Sequence, residues 1–454
     1  MGEETPSQRW LITPSMRPEW WLVAAAAVAA VLLLSHLPSL AFHAQFYADD
    51  GGWYQAAYAQ GPLRSLLHPA AGYVVMLQRL VASASLVLPV VAAPTLFNLV
   101  AVAAGVAGIC YLLSSRMASA IPSLAARVAI ALLVIALPNA YDTTGNLTNA
   151  QWRLGLLVFL VIFAAPPRRA VGWVVDTVIL VVGGLTGPYC LLLEPIIGWL
   201  WLRQRSDRRR AYILAVNTVC VAVQLFVLLT HAGQRTSGAL AAGFAPLVQM
   251  IARQVTLGLV IGAHGLNSVA GSAVSTSLAV LAVLALIPAV VCLWVAWRGP
   301  LVLRAFIVLA GLELALALVA PSIGAPRWPS LGRPASVVDF HPGGIRYFLY
   351  PLLAFALSLG WLAVDALRRF ARDRWRLTGP VTTRRVAANT VGGGAAIALL
   401  AAAVIGVRMD WAYPPYIDQH WGAEVQRLQS SPPGTLVVIP INPKGWTVSL
   451  VARR

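Results

Sequence analysis

Apolar runs, most of them near or above ~18 residues long, recur from Trp21 almost to the end of the chain. In a lipid core each backbone N–H and C=O must be satisfied within its own segment, so such runs become helices. Only 11% of the 454 residues are charged, against about 25% in a soluble domain. The pattern predicts an all-α polytopic membrane protein. Spans are expected at 21–42, 94–113, 121–138, 154–165, 171–186, 188–202, 211–230, 273–297, 301–320, 347–365 and 387–407, about eleven in all. Arg9 and Arg17 precede the first run, and no small-residue cleavage site follows it, so it reads as a retained helix.

Basic residues orient the chain. The net charge is +17, and all but one of the 33 basic residues are Arg. Membrane proteins gather Arg on the cytoplasmic side, so this charge does not call for nucleic acid. Twenty basic residues fall in segments assigned inside and twelve in segments assigned outside, five of those in the tail. The N-terminus is expected inside and the C-terminus outside. Arg79 belongs to the ambiguous segment 70–93, where Gln78-Arg79 interrupts an apolar run. An amphipathic or re-entrant surface segment is expected there. Cys110, Cys190, Cys220 and Cys292 are far apart in apolar segments and have no metal or redox spacing.

Residues 1–407 read as a membrane domain with outer loops 43–93, 139–153, 231–272 and 321–346. An interfacial helix is expected at 243–262. The tail, 408–454, carries a strand-like run from Thr435 to Ile439 and is too short for a core of its own. It is expected to pack on the outer loops.

Candidate chemistry gathers in those loops. Asp49 and Asp50 follow the first span directly, between Tyr47 and Trp53-Tyr54. Adjacent side chains point in different directions, so the two acids divide the roles of general base, helix cap or cation ligand. Burial at a membrane edge raises a carboxylate pKa, which suits a base. Asp142, Trp152, Tyr54 and His264 are donors, acceptors and stacking faces suited to sugar hydroxyls. The tail aromatics Trp411, Tyr413, Tyr416, Trp421 and Trp446 suit either sugar or the headgroup level. Arg346, Arg153 and Arg333 lie on the side that should be poor in Arg, where a guanidinium can hold a lipid phosphate. Asn146-Leu147-Thr148 matches a glycosylation sequon without other signs of a eukaryotic secretory protein. Asp176, Glu194 and Glu313 fall inside apolar helices, where an acid faces the protein interior. Glu194 precedes Pro195 and is expected to bond backbone groups freed by it. No His-x-x-His spacing occurs, so no metal centre is assigned, and a divalent cation on Asp49 or Asp50 stays open.

With Tyr47-Ala48-Asp49-Asp50 behind helix one, surface helices near 53–68 and 70–93, short middle spans and outer Arg, the chain resembles the GT-C superfamily of integral membrane glycosyltransferases. The resemblance covers topology more than motif. It implies a sugar donor carried on a polyprenyl phosphate and a catalytic acid at Asp49 or Asp50. It also implies a glycan, lipid or protein acceptor, and reaction at the outer boundary of a bacterial plasma membrane. The adjacent acids depart from the Asp-x-Asp spacing of the metal-using subset. Three rival classes stay open. A transporter or lipid flippase would couple through Asp176, Glu194 and Glu313. A glycan polymerase or ligase would act through Arg and His of loop 231–272. A structural scaffold would need no lipid cavity.

Overall fold

The computed structural model of the protein describes residues 19–66, 68–70, 72–231, 244–269, 272, 277–319, 345–375 and 383–453. In chain order the helices are α1 (Trp21–His36), α2 (Ser39–Phe42), α3 (Asp49–Gln60), α4 (Pro62–Leu66), α5 (Met76–Ser85) and α6 (Ala93–Leu113). Then come α7 (Leu124–Ala136), α8 (Ala150–Phe163), α9 (Ala170–Gly184), α10 (Tyr189–Arg203), α11 (Arg208–Thr230), α12 (Phe244–Met250) and α13 (Gly258–Ser268). The chain closes with α14 (Leu278–Arg298), α15 (Leu301–Val319), α16 (Leu349–Trp375), α17 (Thr383–Asp410), α18 (Trp421–Ser430) and strands β1 (Leu436–Ile441) and β2 (Trp446–Val451).

Every run expected to span falls on a helix, but the helices are not equal in length. Among the described residues six are long and apolar enough to cross a membrane, and four more are apolar but shorter. One of the six, Leu247–Leu266, lies where an interfacial helix was expected. It joins α12 to α13 through a π-helical stretch, Ile251–Leu257, and breaks at Gly262, whose φ of 65° a side chain would resist. Val248 and Ala252 pack on Leu281 and Ala285 of α14, and the Thr256 hydroxyl donates to the Leu284 carbonyl at 2.7 Å. Beyond that contact α13 runs against α17. The first expected span, 21–42, is two helices, because Leu37 precedes Pro38 and a pre-proline residue disfavours α geometry.

Acids within the apolar helices have partners. Asp176 takes a two-pronged pair of hydrogen bonds from Arg116, at 2.7 and 2.6 Å, and one from Tyr111 at 3.1 Å. Glu194 accepts from Asn217 and Thr218 of α11, both at 2.6 Å, instead of the backbone groups freed by Pro195. The helix-to-helix bond wins because α10 and α11 pack side by side.

The chain is not all helix. β1 and β2 form an antiparallel hairpin in which Val437 pairs with Leu450 and Ile439 with Val448. Those four residues face inward, as the two-residue period of a strand requires. The strand-like run from Thr435 is thus β1, and β2 is its missed partner. The inner face of the hairpin and Trp421, Val425 and Leu428 of α18 share one core with Phe46, with Trp53, Tyr54 and Ala57 of α3, and with Phe97 of α6. Gly51 lets α3 approach the hairpin, since a Cβ there would lie 2.5 Å from the Ile441 side chain. Burying this apolar face against the tail gives the acidic loop its fixed position.

Candidate functional site

The acidic loop is held by the tail. Asn442 donates its backbone N–H to Phe46 (3.1 Å) and accepts from the Ala48 N–H (2.6 Å). Its side-chain amide bonds both backbone groups of Ile417, each at 2.9 Å. Ala48 adopts φ 48° and ψ −120°, a conformation that strongly favours glycine. This bend sends Asp49 and Asp50 to different sides at the start of α3.

Asp50 turns inward. It has no exposed surface. Thr148 Oγ1 lies 2.8 Å from its Oδ1, and the Tyr47 N–H points at its Oδ2 from 3.4 Å. No cation stands beside it among the described residues. Burial therefore pushes its pKa up to about 7, against the pull of the Thr148 and Tyr47 hydrogen bonds. Thr148 Oγ1 is also 2.9 Å from the Tyr47 carbonyl. One hydroxyl proton cannot serve both acceptors. A protonated Asp50 resolves the conflict by donating to Thr148 while Thr148 donates to Tyr47.

Asp49 turns outward. It is open to solvent yet crowded by protein. Crowding raises its pKa, and the Arg346 guanidinium pulls the other way. Arg346 stands between acids and rings. Its Nη1 is 3.6 Å from Asp142 Oδ2, and its guanidinium lies 5.6 Å from the Trp152 ring centre and 5.3 Å from that of Tyr347. About a fifth of its side chain is reachable, 21%. Asp142 is buried, and its pKa is raised by burial against the charge of Arg346. Asn149 donates to Asp142 Oδ1 at 3.1 Å, and Asn146 and Asn149 both donate to its carbonyl. Asn146 is thus buried inside the loop, away from any sequon chemistry.

Tyrosines make a pocket next to these groups. Tyr47, Tyr141, Tyr413 and Tyr416 line a cavity of about 200 Å³, together with Asn146 and Asn442. Tyr47 and Tyr416 stack with ring centres 5.4 Å apart. The tail thus builds one wall and the two acid-bearing loops the other. The cavity is smaller than the ~300–1,000 Å³ of a drug-sized site.

The remaining candidates separate. Tyr54 is 1% exposed and packs on Phe46 in the outer core, so its ring is closed to a sugar. Trp152 is buried, and its Nε1–H donates to Glu313 Oε1 at 2.7 Å. Glu313 Oε2 makes no hydrogen bond. Arg153 is buried with its guanidinium on the Val134 and Thr143 carbonyls and the Thr144 hydroxyl, bracing the loop rather than facing the cleft. Arg333 lies outside the described residues. Among the described residues no group of three or more His, Cys, Asp or Glu is placed to hold a metal ion.

Two contributors escaped the sequence reading. Thr148, seen there only as part of a sequon, is the partner of Asp50. Asp410, at the end of α17, accepts from the N–H groups of Asn139 (2.8 Å), Ala263 (2.6 Å) and His264 (3.0 Å), and its Oδ1 lies 2.9 Å from His264 Nδ1. It joins two outer loops to the last long helix behind Tyr141 and Tyr413. An acid at the very end of an apolar run was the available signal. Comparison with family models, curated proteins and solved structures finds no match for this chain.

Proposed function

We propose that the protein is a membrane glycosyltransferase that moves a sugar from a polyprenyl-phosphate donor to an extracytoplasmic glycan, lipid or protein acceptor. The observation that carries this reading is the pairing of an open, crowded carboxylate, Asp49, with the reachable guanidinium of Arg346 beside a tyrosine-lined cavity. Asp49 is the base. It removes the proton of the acceptor hydroxyl as that oxygen attacks the anomeric carbon. The bond from that carbon to the phosphate oxygen breaks on the opposite face, which inverts the centre. The electron pair stays on the phosphate, and Arg346 stabilises the growing charge. Asp50 positions α3 and does not touch substrate. Tyr47 and its neighbours hold the sugar ring.

The acids within the helices favour transfer over coupled transport. Asp176, Glu194 and Glu313 lie in different helices, and each is engaged by a local partner. The test is incubation of membranes carrying the protein with labelled polyprenyl-phosphate sugars. Asp49→Asn should lower transfer by about 10²–10⁴-fold, the usual worth of a positioned base. Unchanged transfer in both Asp49→Asn and Arg346→Gln would remove the basis for this reading.

A further inference from the structure

Arg79 is a buried cation that the protein leaves unanswered. It lies on α5 and is 3% exposed. Its Nε and Nη1 are shut off from solvent and make no hydrogen bond, and no acid stands near enough to act on its charge. Other buried arginines behave differently. Arg127 donates to the carbonyls of Leu113 and Ser114, and Arg153 to those of Val134 and Thr143. A guanidinium has five N–H donors in a fixed fork, and burying it unpaired is among the costliest arrangements a protein can hold. An anion from outside the chain would relieve that cost.

The surroundings indicate which. Gln78, the neighbour of Arg79, donates to the Leu147 carbonyl at 3.2 Å, while its own Oε1 goes unmatched. On α6, against which α5 packs, Asn98 is wholly buried with both amide atoms unmatched. The same two helices and the turn between them expose Leu80, Val87 and Leu99, an apolar flank suited to lipid. An unpaired guanidinium with no acid near it, beside an apolar flank, fits a phosphate whose ester arm lies along that flank.

We propose that Arg79 binds a phosphate group at the α5–α6 junction. The two sources of that chemistry are a phospholipid headgroup and free inorganic phosphate. The site is separate from Arg346, and its occupancy does not depend on glycosyl transfer.

The test uses the full-length chain, purified in a neutral detergent and stripped of lipid. Thermal midpoints are read by tryptophan fluorescence after adding phosphatidylglycerol, inorganic phosphate or, as a control, diacylglycerol. The midpoint should rise by several degrees with phosphatidylglycerol and stay put with diacylglycerol. An equal rise with inorganic phosphate identifies a free-anion site instead of a headgroup site. Arg79→Met should be more stable than the parent without lipid, and its midpoint should no longer respond. Arg79→Gln serves the same comparison if the methionine variant does not fold. Native mass spectra should retain one phosphatidylglycerol fewer in either variant. A phosphate response that survives loss of Arg79, or the absence of any response in the parent chain, overturns the proposal.

Discussion

Asp176 and Asp50 are both buried carboxylates, 2% and 0% exposed, with opposite surroundings. Asp176, inside an apolar helix, receives both prongs of Arg116, the Tyr111 hydroxyl and the nearby charge of Arg209. Asp50, at the start of α3, has hydrogen bonds from Thr148 and a long N–H contact from Tyr47. The difference teaches how this molecule divides its acids. Asp176 is kept in its helix with both oxygens paired to a cation, the compensation a buried charge requires. Asp50 has no cation beside it among the described residues, and burial without a counter-charge raises its pKa.

Removing the charge from each of the two acids should have opposite signs. Asp176→Asn leaves Arg116 and Arg209 buried without their counter-charge and should cost about 3–5 kcal/mol. Thermal unfolding in detergent measures this, and transfer per folded molecule should persist. Asp50→Asn should instead stabilise the protein at pH 8. Its amide can donate to Thr148 and its oxygen can accept from the Tyr47 N–H, and no buried charge remains at pH 8. A loss of stability at pH 8 comparable to that of Asp176→Asn would erase the contrast.

The pH profile sharpens the same point. The folded-state pKa of Asp50, about 7, lies above the ordinary carboxylate value. Its contribution to stability is therefore complete below pH ~4 and is lost as pH rises through about 7. The parent chain should lose a few kcal/mol between those limits relative to Asp50→Asn, whose profile should be flatter. Midpoints measured across that range check it.

Smaller effects test what holds the outer layer. Asn442→Ala removes both side-chain bonds to Ile417 and should cost about 1–3 kcal/mol, with lower transfer as the acidic loop loosens. Ala48→Gly should stabilise by about 1 kcal/mol, because the backbone bend before Asp49 suits glycine. A destabilised Ala48→Gly chain would show that the bend carries no strain.

Much of the membrane part is legible in the sequence. Apolar period and length marked each helical run, but 21–42 read as one span, and the break at Pro38 was missed. The acids within helices announced themselves by being misplaced in apolar company. Less was legible outside. The run Trp446–Val451 alternates as a strand does, but only its register with β1 shows which face it buries. The length and packing of Leu247–Leu266 depend on a π-helical stretch that no local pattern marks.

The sequence by itself determined that this chain is helical, apolar throughout its length, and armed with an acidic pair directly after its first helix. Those properties depend on residues close together in the chain. Only the tertiary structure decided which of the pair is open. Asp49 and Asp50 are neighbours on one helical turn, and the hairpin some 390 residues later packs against that turn at Gly51 and Ile441. Thr148, almost a hundred residues away, meets the buried Asp50, Arg346 acts on the exposed Asp49, and the tail brings Tyr413 and Tyr416 to the cavity lined by Tyr47. Side-chain direction on a helix is local, but which side becomes the inside is set by whatever covers it.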